Sequence, residues 1–192
     1  MNRRSGEDLK KIILGAALNT FSEHGYDGVS MRMIAEKANV SVGGLYLHFK
    51  NKEELYLVMM KGSFENLLLN LKTAIDNAKN PVDAISVYIK TSIEHTSRHK
   101  EMFLAKHKKR SFTFGIELKR AFFKEQRSFL ERIIREGIKS GYFNQCNAKE
   151  TAKIIMNVLR GFILSMIVDP DNLFAYDECT KLLMKGLLKR NE

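Results

Sequence analysis

The sequence predicts an all-α chain of about nine helices, on three observations. Apolar side chains recur at i, i+3 and i+4 through most of the 192 residues, and no segment sustains an alternation of period two. Two prolines and twelve glycines punctuate the chain, too few for the turns of a long all-β protein. Hydrophobic residues are 44% and charged residues 28%, a globular balance that excludes a disordered, collagenous or disulfide-framed chain.

The elements follow in order. Residues 8–24 place Leu9, Ile12, Ile13, Ala16, Ala17, Thr20 and Phe21 on one stripe, which stops at Gly25, a natural left-handed C-cap. After the turn 26–29, Ser30 is the expected N-cap of a short helix 31–38. A break at Asn39-Val40-Ser41 precedes another short helix, 42–49, with a serine again in the capping position. Asn51-Lys52-Glu53-Glu54 opens a long helix, acidic in its first turn as the macrodipole prefers, which runs to about residue 79. Asn80-Pro81 restarts the chain for a helix 81–97, with asparagine as cap and proline at the first helical position. Helices are expected over 100–110, 115–140, 147–168 and 171–190, broken at the basic run 106–110, at Gly141 and at Asp169-Pro170.

The ends and the cysteines narrow the setting. Glu7, Asp8, Lys10 and Lys11 interrupt any signal-peptide core behind Arg3-Arg4. The most apolar stretch, 162–168, is far below the roughly 20 residues a membrane span needs. A soluble, cytoplasmic protein with no membrane partner is expected. Cys146 and Cys179 lack any Cys-x-x-Cys spacing and are expected as reduced thiols.

The first fifty residues thus hold three short helices, the second and third joined by a tight turn. That is the helix-turn-helix arrangement, whose later helix enters the major groove of DNA. The string is specific: Ser30-Met31-Arg32-Met33-Ile34-Ala35, then Ala38-Asn39-Val40-Ser41, Gly43-Gly44-Leu45-Tyr46-Leu47-His48-Phe49 and Lys52-Glu53-Glu54-Leu55. It resembles the DNA-binding domain of the tetracycline-repressor (TetR) family of bacterial regulators. The likeness covers about residues 8–57, including Phe21 and His24-Gly25-Tyr26 at the end of the first helix. It implies a homodimer on a palindromic operator, released when a small-molecule effector enters the C-terminal domain. It also implies that Tyr46 and His48 reach phosphate oxygens, for which a phenol and an imidazole N–H are suitable donors.

The residues read the same way by themselves. Ile34, Ala35, Val40, Leu45 and Phe49 can pack a small three-helix core. Gly43 and Gly44 cost roughly 1 kcal/mol each against alanine inside a helix, and close backbone approach to DNA would justify them; tight helix packing is the other explanation. Ser30 and Lys52 sit at helix N-termini, where unpaired N–H groups favour phosphate, and Arg32 is placed for a base edge. The expected DNA-binding set is Ser30, Arg32, Ser41, Val42, Gly43, Gly44, Tyr46, His48 and Lys52. Position 42 is valine where the family favours a polar or basic residue, and position 44 is glycine where it favours a hydroxyl or amide. Few side-chain donors are left for base readout, so discrimination is expected to lean on Val42 against a thymine methyl, on Arg32 and on DNA shape.

A division at 52/53 is expected: residues 1–52 bind DNA, and 53–192 bind ligand and dimerise. In 147–168 the apolar residues cover more than one face and Gly161 permits close approach, while 171–190 supplies a matching stripe. Ile155, Val158, Leu159, Phe162, Leu183 and Leu187 are the expected dimer contacts. Tyr88, Met102, Phe103, Phe112 and Phe122 suit a pocket for an apolar effector, though such residues equally fill plain core. His95 and His99 share a helix face without a third ligand at a recognisable spacing, so a solvated face is expected and no metal or cofactor.

No Glu-x-x-His helix motif, phosphate-binding glycine loop or nucleophile elbow is present, so no catalysis is expected. The expected function is a ligand-responsive transcriptional regulator, a repressor. The alternatives are a helical protein-binding adaptor and a small α-helical enzyme without DNA binding. The formal charge of +10 is uneven: residues 1–60 carry eight Lys/Arg against seven Asp/Glu, and 98–139 carry thirteen against five. The surplus therefore lies mostly outside the reading head, where it suits long-range steering or an anionic effector group.

Overall fold

A computed structural model describes residues 6–98, 115–173 and 175–188. The expected helix 100–110 with its basic run, His99, Met102, Phe103, Phe112 and the Arg3-Arg4 tail lie outside the described residues. Eight α-helices and one 3₁₀ turn account for most of what is described: α1 Gly6–His24, α2 Met31–Lys37, α3 Val42–Tyr46, α4 Lys52–Asp76, α5 Pro81–Arg98, α6 Ile116–Lys139, α7 Ala148–Val168, the turn Pro170–Asn172 and α8 Tyr176–Leu187.

Local chemistry fixes the helix ends. Ser30 Oγ accepts from Met33 N at 3.2 Å and Ser41 Oγ from Gly44 N at 2.9 Å, capping α2 and α3. Three asparagines cap the longer helices: Asn51, Asn80 and Asn147 accept from the N–H of Glu54, Asp83 and Glu150. Glu54 and Asp83 then reach back to the N–H of Lys50 and Lys79 at 2.7 and 3.0 Å. These are reciprocal capping boxes shifted one residue outward. Gly25 closes α1 at φ +68 as its position predicts, and Asn39 takes φ +53 in the α2–α3 turn, a region asparagine tolerates.

Two boundaries differ from expectation. The last helix starts at Tyr176 and not at 171, because the chain spends Pro170–Asn172 in a 3₁₀ turn and holds Leu173 and Ala175 extended. The third helix ends at Tyr46, where the His48 N–H tightens onto the Leu45 carbonyl at 3.0 Å.

The chain divides into two compact units. The first comprises, of the described residues, 6–65 and 115–118. Its core is Ile13, Ala17 and Phe21 from α1, Ile34 and Ala35 from α2, Leu45 and Phe49, and Leu55 and Tyr56 from α4, each at most 2% exposed. Phe21, Tyr26 and Tyr56 form an aromatic triangle with centroid distances of 5.8, 5.0 and 4.9 Å. Burial, with Tyr26 beside it, pushes the Tyr56 hydroxyl well above the ordinary tyrosine pKa. The first turns of α4 thus belong to this core, so the compact unit extends past residue 52 and α4 is shared between the units.

The second unit holds 66–98, 119–173 and 175–188 of the described residues. It buries Ile85, Tyr88 and Ile89 of α5, Phe122, Leu130 and Ile134 of α6, Ile155 and Leu159 of α7, and Met184 and Leu187 of α8. Gly137 matters here: a Cβ would collide with the buried ring of Phe143, so only glycine lets the loop after α6 fold back onto the helix. That loop is pinned to the end of α8 by Asn144 N donating to Leu187 O at 2.8 Å. His95 is 7% exposed, so the expectation of a solvated histidine face fails: α5 turns that edge inward beside Ser92 and Thr96. No helix among the described residues is long and apolar enough to cross a membrane.

Candidate nucleic-acid interface

The first unit sorts the residues of the motif by face. Leu45 and Phe49 are 0% and 1% exposed and anchor α3 to the core. Val42, Tyr46 and Leu47 point outward at 39%, 49% and 87% exposure. His48 is half-buried at the end of this segment. The capped N-terminus of α3 and the side chains of Val42 and Tyr46 therefore share one accessible surface.

The two glycines have different reasons. A Cβ on Gly43 would meet nothing within 4 Å, so no packing inside the protein explains its lack of a side chain. At Gly44 a Cβ would lie 3.1 Å from Ser41 Oγ, so glycine makes room for the capping hydroxyl. Helix-on-helix packing, the competing explanation for the pair, is absent at both positions among the described residues. Of the motif's two glycines, Gly43 is the one that no neighbour within the described residues explains.

Arg32 lies exposed on α2 and pairs with Glu36 at 2.9 Å. Such a surface i, i+4 pair contributes only about 0.3–0.5 kcal/mol, so it holds the guanidinium extended without preventing exchange for a phosphate or base. Ser30 and Ser41 spend their hydroxyl oxygens on caps, which leaves each O–H free to donate outward.

Lys52 has a role that the sequence did not reveal. Its Nζ donates to the carbonyls of Tyr26 and Val29, both at 2.9 Å, and sits 4.4 Å from the centre of the Tyr26 ring. It staples the start of α4 to the turn after α1. Two of its three protons are spent inside the protein, so it is first a clamp for the reading head, with one donor left for a phosphate.

In the second unit, Tyr88 and Phe122 are both buried, at 0% and 5% exposure. The dimer set needs correction: Ile155, Leu159, Phe162 and Leu187 are at most 7% exposed within the single chain, so they have almost no surface to give a partner. Val158 and Leu183 are half-buried. The outward seam of α7 lies one residue round the helix. Ile154, Asn157, Gly161, Leu164 and Val168 are all exposed at spacings of three and four. Gly161 has open space where its side chain would be, and Leu182 of α8 is 68% exposed. The spacing was present in the sequence, but α7 is apolar on two faces and the sequence did not say which one turned inward.

Known proteins match this arrangement. The family model for bacterial regulatory proteins of the tetR family matches residues 13–59, the stretch from the middle of α1 into α4. The HTH-type transcriptional regulator YhgD of Bacillus subtilis is 30% identical over 166 residues, covering 79% of this chain and 80% of that protein. The HTH-type transcriptional repressor KstR2 of Mycobacterium tuberculosis is 29% identical over 147 residues, 74% of this chain and 70% of that protein. The crystal structure of FadR from Bacillus subtilis in complex with stearoyl-CoA superposes with a TM-score of 0.76 over 92% of this chain and 98% of that one. At 19% identity that likeness speaks for the fold. With the helix-turn-helix in place and likeness to YhgD across most of both chains, this chain belongs to the tetR family of helix-turn-helix transcriptional regulators.

Proposed function

We propose that the chain is a ligand-responsive repressor that binds a palindromic operator as a homodimer and releases it when a small, largely apolar effector occupies the second unit. The observation that carries the reading is Gly43: an outward position on a capped helix where the fold gives no reason for glycine and close backbone approach to DNA does. Tyr46, His48, Ser30 and the capped N–H groups of α3 supply donors to phosphates, Arg32 and Val42 read base edges, and Lys52 holds the reading head in shape.

In the dimer, Ile154, Asn157, Gly161, Leu164 and Val168 of α7, with Leu182 of α8, face the same residues of a second copy. Four helices then form the interface, and Gly161 lets the two α7 axes approach. Helix α4 is continuous from Lys52 to Asp76, so a change of its inclination moves α3. Two α3 helices must sit about 34–36 Å apart to enter successive major grooves. An effector that favours a different spacing weakens DNA binding by its differential affinity for the two states. The complex of FadR with stearoyl-CoA supports a ligand of apolar character in a chain of this fold.

The test is DNA affinity measured across salt concentrations. Tyr46→Phe and His48→Ala should each weaken DNA binding severalfold at every salt concentration, while the slope of log K against log salt, which lysines and arginines on phosphates set, stays near that of the parent chain. Unchanged affinity in both variants would remove their phosphate contacts, and no salt dependence in the parent chain would favour the adaptor or enzyme alternatives.

A further inference from the structure

The helix α3 carries its barest residue and its most exposed apolar one on the same side. Leu47 continues α3 in right-handed helical backbone, φ −68 and ψ −25, and its N–H donates to the Gly43 carbonyl at 3.1 Å. That bond is α-helical, so Leu47 stands one turn beyond Gly43 on a single row of the helix. A parallel bond from Phe49 N–H to the Leu45 carbonyl, also 3.1 Å, marks the buried row, nearly opposite. Val42 and Tyr46 make a third row at the flank. At 87% exposure Leu47 is the most exposed large apolar side chain among the described residues, and a Cβ on Gly43 would meet nothing. Helical side chains lean toward the N-terminus, so the leucine leans over the turn that the glycine leaves bare. A lone exposed leucine elsewhere asks for no explanation; this one lies on the outermost row of the helix that faces DNA in a helix-turn-helix.

We propose that Leu47 reads a thymine: its side chain packs on the C5 methyl of one thymine in each half-site of the operator. That methyl is the apolar group that bases present in the major groove, and leucine, with no donor or acceptor, can use nothing else there. Gly43 has the complementary part. Without a side chain it lets the backbone of α3 come close enough for a residue one turn on to reach the base edges. Cytosine at the same place would put an amino group against the leucine with no acceptor to meet it, which adds rejection to preference. The assignment rests on the operator-binding reading above and names one base that the operator carries. It also moves the main apolar contact from Val42, on the flanking row, to the row that faces straight out.

The experiment uses the full-length chain and the duplex it selects from random sequence. Each thymine of that duplex is replaced in turn by deoxyuridine, which removes the methyl and keeps every hydrogen-bonding group. Affinity is read by fluorescence anisotropy at fixed salt. One thymine per half-site should respond, with binding weaker by about fourfold when one half-site is changed and about fifteenfold when both are. Leu47→Ala should bind the thymine and uracil duplexes alike and melt at the parent's temperature, because the side chain is exposed. Val42→Ala should keep the parent's preference. A duplex in which no thymine is methyl-sensitive, a preference that survives Leu47→Ala, or one lost equally in Val42→Ala would overturn the assignment and leave operator binding standing. Failure of the chain to select any duplex would overturn both.

Discussion

Gly43→Ala is expected to make the chain more stable and a worse DNA binder. The added methyl meets nothing in the protein, and alanine is favoured over glycine within a helix by roughly 0.5–1 kcal/mol, so urea unfolding should shift to higher denaturant by that amount. Operator affinity should fall by about tenfold or more, since the methyl stands where α3 lies against the duplex. The opposite signs are the point. A mutation that weakened binding by damaging the fold would lower both quantities, as Gly44→Ala is expected to do by crowding the Ser41 cap. A Gly43→Ala variant of full affinity would show that the backbone at α3 does not approach DNA closely.

Charges placed on the outer seam of α7 should separate the subunits. Ile154→Asp combined with Leu164→Asp puts carboxylates on positions 57% and 60% exposed in the single chain, which the fold tolerates and an apolar interface does not. Light scattering should then report the mass of one chain, with the helical circular dichroism kept. Operator affinity should fall by about a hundredfold or more, since one reading head then holds a half-site alone. The neighbouring substitution Ile155→Asp should fail differently: that side chain is 1% exposed, so burying a carboxylate there costs several kcal/mol and unfolds the second unit. If Ile155→Asp gave a folded monomer and the seam variant stayed a dimer, the interface would lie on the other face of α7.

These two positions also show what the sequence could and could not convey. Caps and breaks were legible because they are local: Ser30, Ser41, Asn80-Pro81 and Gly25 act within four residues of themselves, and the structure places them as expected. The face of α7 was not legible, because Ile154 and Ile155 are chemically identical and only packing within the second unit, where α7 lies against α5, decides which is buried. The structural role of Lys52 was hidden for a related reason. Position at a helix start suggested phosphate, whereas the two carbonyls that hold its ammonium come from residues 26 and 29, brought near by the fold. Separating Gly44, which makes room for a cap, from Gly43, which no neighbour among the described residues explains, took the folded backbone.

The central claim is that two copies of α3 read DNA at a fixed separation. Selection of random-sequence duplexes on the full-length chain at physiological salt tests it most directly. An inverted repeat whose half-site centres lie about one helical turn apart, 10–10.5 base pairs, or a multiple of it, should be enriched, and that enrichment should be lost with the Ile154→Asp, Leu164→Asp chain. Recovery of no motif, or of a single asymmetric site bound equally well by the monomeric variant, would contradict it.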